Sequence, residues 1–357
     1  MVHGLTMLRG LGAALVVLFH VYYSPGDRSG FFIDLLHRGF IGVDLFFVLS
    51  GFVLAHVYAR DILTAGAFSY GDYVRNRFAR IYPLHLVVTL FLVVLALTIP
   101  EAIAKAGLRA IWHDLPLHLL MLQVWAIFGI SSWNFPDWTI SAEFVAYLCL
   151  PWIIRGFFRL TPQQGLMIAL AVHAVVLAAT SGIGNGYYYL SYGYGLLRLF
   201  PEFLLGIAVY RMVPAGGDAD ARRSRLILLG LLLLLAAMLG FAGGWIILSP
   251  VLGAIVFFAA TSEFRLEEGR HVRAAVYLGR ISYATYLVHM PVVMVIRAYL
   301  GLSSVDPLTT PQAMAIVAAI YLASVALHHL VEEPARKALR AGRNSKGRQE
   351  NENSRSG

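Results

Sequence analysis

Runs of about twenty apolar residues recur from one end of this 357-residue chain to the other. Each is close to the length a helix needs to cross ~30 Å of hydrocarbon. Backbone in lipid has no water to bond, so a spanning segment must satisfy its own N–H and C=O groups; in runs of this length that means helix. The spans read at 7–23, 41–59, 83–99, 143–159, 165–182, 196–213, 226–241, 246–262, 279–298 and 313–332, with a further apolar stretch at 113–129. Charged residues make up only 13% of the chain, against roughly 25% in soluble domains. No soluble domain is left over between the spans.

Loop charge decides whether 113–129 crosses, because Lys and Arg accumulate in cytoplasmic loops. Arg60, Arg75, Arg77 and Arg80 follow span 2; Arg155 and Arg159 lie near the turn that ends span 4; Arg222, Arg223 and Arg225, then Arg265, Arg270, Arg273 and Arg280, fall in two later loops. These basic loops and the basic C-terminal tail fall on one side only if 113–129 re-enters by the face it left, or lies in the interface. The expectation is an all-α polytopic membrane protein of ten transmembrane helices plus one short re-entrant or interfacial segment, both termini cytoplasmic. Residues 1–335 form a single membrane domain, and 336–357 a basic tail.

The formal charge of +8 is mostly in that tail. Seven basic residues (Arg336, Lys337, Arg340, Arg343, Lys346, Arg348, Arg355) stand against Glu350 and Glu352, which supplies +5 of the +8. A basic stretch after a last span marks topology and meets lipid headgroups, and gives no reason to expect a nucleic-acid partner. Its Arg, Lys, Asn, Ser and Gly content predicts disorder after Arg340. The single cysteine, Cys149, lies in an apolar run and allows no intrachain disulfide. Arg9 and His20 interrupt the first apolar segment, so it reads as a span and not a cleaved signal peptide.

Ionisable side chains inside spans are costly, which makes each a functional candidate. Arg9 and His20 lie eleven residues apart in span 1. At about 100° and 1.5 Å per residue they share a face, roughly 16 Å apart along the axis. Gly12, Ala13 and Val16 between them are small enough to leave a groove. An anionic donor held at Arg9 and a proton acceptor at His20 would suit that slot, since imidazole titrates near working pH. The structural alternative is an Arg9 that snorkels to lipid phosphate and a His20 that only packs.

Asp44 falls at the same end of span 2 as His20 does of span 1, where it could orient the imidazole or merely favour a helix start. Arg75, Arg77 and Arg80 precede span 3; Arg77 and Arg80 are three apart and share a face that suits phosphate. Marking the cytoplasmic side would also explain them. In WTISAEF, Glu143 enters an apolar span and needs a partner, while Ser141 and Trp138 are candidates to bind an acceptor hydroxyl and stack on a sugar face. A helix cap and an interfacial aromatic belt are the alternatives there. Arg198 and Glu202, four apart, are able to pair with each other. His289 sits mid-span.

No HExxH, Cys/His cluster, phosphate-binding loop, dinucleotide fingerprint or nucleophile elbow occurs, so a metal or a nucleophilic serine has no support. A transporter or flippase of a polar glycan or lipid-linked substrate would also need buried polar groups. Its usual inverted repeat with broken helices is not found.

Seven segments in order resemble the membrane acyltransferase 3 family of O-acyltransferases: LRGLGAALVVLFH, GFIGVDLFFVLSGF, RFARIYP, WTISAEF, RLFPEFLLG, LGRISYATYLVH and VEEPAR. They are spread along nearly the whole chain. The resemblance implies about ten helices in the cell (inner) membrane. It implies an acyl-CoA co-substrate, most often acetyl-CoA, with no tightly bound cofactor, and a hydroxyl of an extracytoplasmic carbohydrate or glycolipid as acceptor. It also implies that Arg9 and His20 correspond to the family's essential pair, Arg77 and Arg80 to its paired arginines, and Glu143 to its WxxSxE glutamate. Members commonly read Leu-Asp-Gly-Leu-Arg-Ala at the start; here Thr6 stands in place of the acid.

Overall fold

A computed structural model describes residues 3–22, 30–125, 133–182, 186–214, 220–241, 247–262 and 269–339. Among them there are helices and turns and no strand. The spanning helices are α1 (His3–Tyr22), α3 (Gly42–Leu63), α4 (Tyr70–Thr98), α7 (Trp138–Phe157), α8 (Pro162–Thr180), α9 (Gly195–Met212), α10 (Ala221–Gly240), α11 (Leu248–Thr261), α12 (Arg270–Tyr299) and α13 (Thr310–Leu327). Short helices α2 (Phe31–His37), α5 (Pro100–Lys105) and α6 (Leu115–Leu119) lie between them. Nine of the described helices are long and apolar enough to span; the tenth, α11, has 14 residues, roughly 21 Å of axis. All ten apolar runs are therefore helices, and the chain is an all-α polytopic membrane protein.

The stretch 113–129 does not form a long helix over its described part. Asp114 and Pro116 begin α6, and Met121 adopts a left-handed backbone (φ 55°) that ends it within two residues. Leu122 N–H then bonds back to Leu117 O at 2.8 Å, the reversal that closes a helix C-terminus. His118 Nδ1 donates to Asp137 Oδ2 at 2.9 Å, and His85 Nε2 donates to His118 O at 2.7 Å. These buried bonds dock the segment between α4 and α7. Residues 126–132 lie outside the described set, as do 340–357, where most of the basic tail falls.

Two helices begin well before their predicted spans. α4 starts at Tyr70 and runs through Pro83, and α12 starts at Arg270. Proline at membrane depth is tolerated inside a packed helix, and two residues before Pro83 the Tyr283 Oη of α12 donates to Ile81 O at 2.5 Å. Arg75, Arg77 and Arg80 thus ride on a helix and not in a loop.

Glycine decides which helices touch. A Cβ on Gly279 would stand 1.8 Å from Thr6 O, so α12 presses against the start of α1. Gly51 and Gly206 place α3 against α9 in the same way, each leaving only 2.0 Å to a backbone oxygen of the other helix. Without a hydrophobic drive between helices in lipid, such close backbone approach is the main source of packing energy. α3 and α12 are the most enclosed spans, whereas α8, α10 and α13 present most of their surface outward.

Candidate active site

Arg9 of α1, Arg77 and Arg80 of α4 and Glu143 of α7 open into one cavity walled by α3 and α12. Arg77 Nη2 donates to Tyr58 Oη at 3.0 Å, its guanidinium lies 5.2 Å over the Tyr58 ring, and its buried Nε has no acceptor. Arg80 pairs with Glu332, which lies in a π-helical turn (His328–Glu332) that continues α13. His328 Nδ1 donates to the other Glu332 oxygen at 2.9 Å. Ser50 of α3 donates to Glu143. Three guanidinium groups thus line the cavity beside one carboxylate, an arrangement suited to an anion.

His20 lines a second cavity with Phe135, Trp138 and Tyr188. Its Nδ1 lies 2.9 Å from Val16 O, which only accepts, so Nδ1 carries the hydrogen. His289 Nδ1 likewise donates to Tyr286 O at 2.5 Å, leaving its Nε2 as a lone pair 3.2 Å from His20 Nδ1. Both partners fix one tautomer of His20, with a bare lone pair on Nε2. That atom is buried and has no hydrogen-bond partner among the described residues. The turn beneath it is held rigidly: Tyr192 Oη donates to Phe135 O at 2.7 Å and Asn134 Nδ2 to Leu287 O at 3.1 Å.

The two cavities are neighbours. Val43 and Tyr286 line both. Arg9 and His20 therefore serve adjoining chambers on one side of α1. The stripe between them is not an open groove: Gly12 and Gly42 pack α1 against α3, and a Cβ on Gly42 would meet Gly12 O at 2.3 Å.

Five assignments change. Asp44 does not orient His20; it is fully buried and holds Arg198 bidentately, at 2.8 and 2.7 Å. The α3–α9 crossing carries Arg198 to the first turn of α3, and both carboxylate oxygens are used there. Glu143 lies on the arginine side of the Val43–Tyr286 wall, away from the imidazole. Ser141 donates to Met121 O at 2.6 Å and accepts from Val124 N–H at 3.2 Å, which ties down the re-entrant segment and leaves it no free proton. Arg75 is exposed and pairs with Asp72 at 2.8 Å outside the cavity. Trp138, by contrast, does line the His20 chamber. Glu202 does not pair with Arg198 either; it accepts from Ser249 at 2.5 Å.

Sequence reasoning left Ser50, Tyr286 and Glu332 without roles and His289 undecided. Their only signal was a polar group in a span, which does not say which helix it will face. One group of ligating side chains among the described residues, His328, His329 and Glu333, is close enough to hold a metal. It lies outside both cavities, with Glu333 bound to Lys337 at 3.0 Å.

This all-helical scaffold, with an arginine cavity beside a histidine chamber, belongs to the membrane acyltransferases. The family model described as an acyltransferase domain matches residues 2–329, and the chain belongs to that family, the membrane acyltransferase 3 family. Acyltransferase MdmB of Streptomyces mycarofaciens is 30% identical over 94% of this chain and 92% of its own. The putative membrane-bound transacylase BcsY of Komagataeibacter xylinus is 27% identical over 90% of this chain and 80% of its own. O-acetyltransferase OatA of Staphylococcus aureus is 22% identical over 83% of this chain and 51% of its own. No solved structure matches.

Proposed function

We propose that this acyltransferase moves an acyl group, acetyl in the first instance, from cytoplasmic acyl-CoA to a hydroxyl of an extracytoplasmic carbohydrate or cell-envelope glycan. The enzyme lies in the inner membrane with both termini cytoplasmic, the orientation supported by the basic loops. Acyl-CoA enters from the Arg9 side. Arg9, Arg77 and Arg80 bind its phosphates, a role supported by the unpartnered Arg77 Nε and by the excess of cations over carboxylates around the cavity. The staphylococcal relative's name, O-acetyltransferase, supports an acetyl group and an oxygen acceptor.

The acceptor hydroxyl sits in the His20 chamber with Trp138 against an apolar face. His20 Nε2 takes its proton as the oxygen attacks the thioester carbon. The tetrahedral intermediate collapses with cleavage of the C–S bond, and the imidazolium returns the proton to the CoA thiolate. Products are the O-acyl ester and free CoA, with no net proton change. Val16 O and His289 Nε2 both accept from Nδ1–H, and these bonds strengthen when the ring becomes cationic. Proton removal by a positioned base contributes about 10²–10⁴ in rate.

The bare, buried Nε2 of a tautomer fixed from behind is the observation that carries this reading. Its test uses inverted membrane vesicles from a strain carrying the gene and from its deletion, supplied with acetyl-labelled acetyl-CoA. Alkali-labile label should appear in the glycan fraction of the first and vanish with His20→Ala at normal protein levels. A His20→Ala enzyme of full activity would end this mechanism. A protein that carried substrate without consuming thioester would be a transporter.

A further inference from the structure

The donor and acceptor chambers meet at a wall one side chain thick, built from Val43 on α3 and Tyr286 on α12. Tyr286 is anchored at its hydroxyl. Its Oη accepts from Thr139 Oγ1 at 2.9 Å and donates to Pro136 O at 3.1 Å. Its ring meets Phe46 of the donor chamber edge-on, with centroids 5.6 Å apart, and the His289 ring at 5.8 Å. Val43 and Tyr286 are thus the side chains that stand between a thioester in the arginine cavity and the His20 lone pair. Open chambers would pose a chemical problem, because a base able to deprotonate a sugar hydroxyl serves water equally well.

Resting on the acyl-transfer reading above, we propose that Tyr286 is the specificity-determining residue that makes the enzyme a transferase instead of a thioesterase. With the ring in place, water in the acceptor chamber and acyl-CoA in the donor chamber stay apart. A bound acceptor displaces the ring and supplies the only hydroxyl within reach. Without the ring, water takes the acceptor's part. Its proton passes to His20, its oxygen bonds to the acyl carbon, the C–S bond breaks, and the thiolate recovers the proton. The products are then a carboxylic acid and free CoA.

The experiment needs no acceptor. Purified full-length protein in nanodiscs receives acetyl-CoA, and free thiol is followed together with CoA binding. Tyr286→Ala should raise hydrolysis at least tenfold over wild type, Tyr286→Phe, which keeps the ring and loses its anchoring hydroxyl, should fall between the two, and His20→Ala added to Tyr286→Ala should abolish the gain. Val43→Ala thins the same wall from α3 and carries the test if Tyr286→Ala does not fold. Equal hydrolysis by wild type and the thinned variants, with CoA still bound, overturns the proposal. So does a gain that survives loss of His20. Failure of every variant and of wild type to bind CoA would instead overturn the parent reading of the donor cavity.

Discussion

His289 Nε2 stands 3.2 Å from His20 Nδ1, so two histidines 269 residues apart in sequence form one hydrogen-bonded unit at the centre of the helices. The second ring occupies the place a carboxylate holds in many histidine-based sites. Being neutral, it fixes the tautomer and adds no charge to a poorly solvated centre. Replacing His289 by Ala should therefore lower kcat by about tenfold to a hundredfold, roughly 1.4–2.7 kcal/mol, with the KM for acetyl-CoA unchanged. Steady-state thiol release with a membrane glycan fraction as acceptor measures both; a raised KM with kcat intact would argue for a packing role.

Asp44 and Arg198 form a fully enclosed ion pair. Removing one partner of such a pair costs about 3–5 kcal/mol, because the other charge is left buried and bare. Asp44→Ala should thus lose most of its folded yield, read as a monodisperse peak after detergent extraction. Pairing it with Arg198→Met should recover part of that peak. A folded but inactive Asp44→Asn would point back to a direct role at His20.

Arg80 keeps its place through Glu332, which His328 braces in turn. Glu332→Gln removes the charge and retains the shape. The guanidinium then loses its anchor, and the KM for acetyl-CoA should rise about tenfold, some 1.4 kcal/mol, with little change in kcat. Titration of acetyl-CoA at saturating acceptor measures this; an unaltered KM would remove Arg80 from donor binding or Glu332 from its support.

Gly279→Ala tests whether helix contact delivers the histidines to each other. The added carbon has only 1.8 Å to Thr6 O, so α1 and α12 must part. Overpacking of this kind costs about 1–3 kcal/mol. The thermal midpoint by size-exclusion chromatography should fall, and activity should drop further than the lost folded fraction explains. A variant with wild-type midpoint and kcat would show that the crossing tolerates the methyl.

Particular residues show where sequence reading succeeded and where it could not. The ten apolar runs became ten helices because the cost of unsatisfied backbone in lipid leaves no alternative, and that rule acts on the segment alone. Arg77 and Arg80 line one cavity, in keeping with their spacing on one helical face, and α1 brings Arg9 to the same cavity. Asp44 misled because proximity along the membrane normal says nothing about the direction a side chain takes around the helix. Ser141 misled for a related reason: its partner, Met121 O, belongs to a segment whose return path depends on one left-handed residue.

Hydropathy and spacing alone determined the helices and the polar positions within them. Only the tertiary structure decided which of those groups meet. Glycine contacts at Gly279, Gly51 and Gly206 bring particular helix faces to within backbone distance. A buried charge then takes whichever partner that crossing supplies, because no solvent is there to substitute for it.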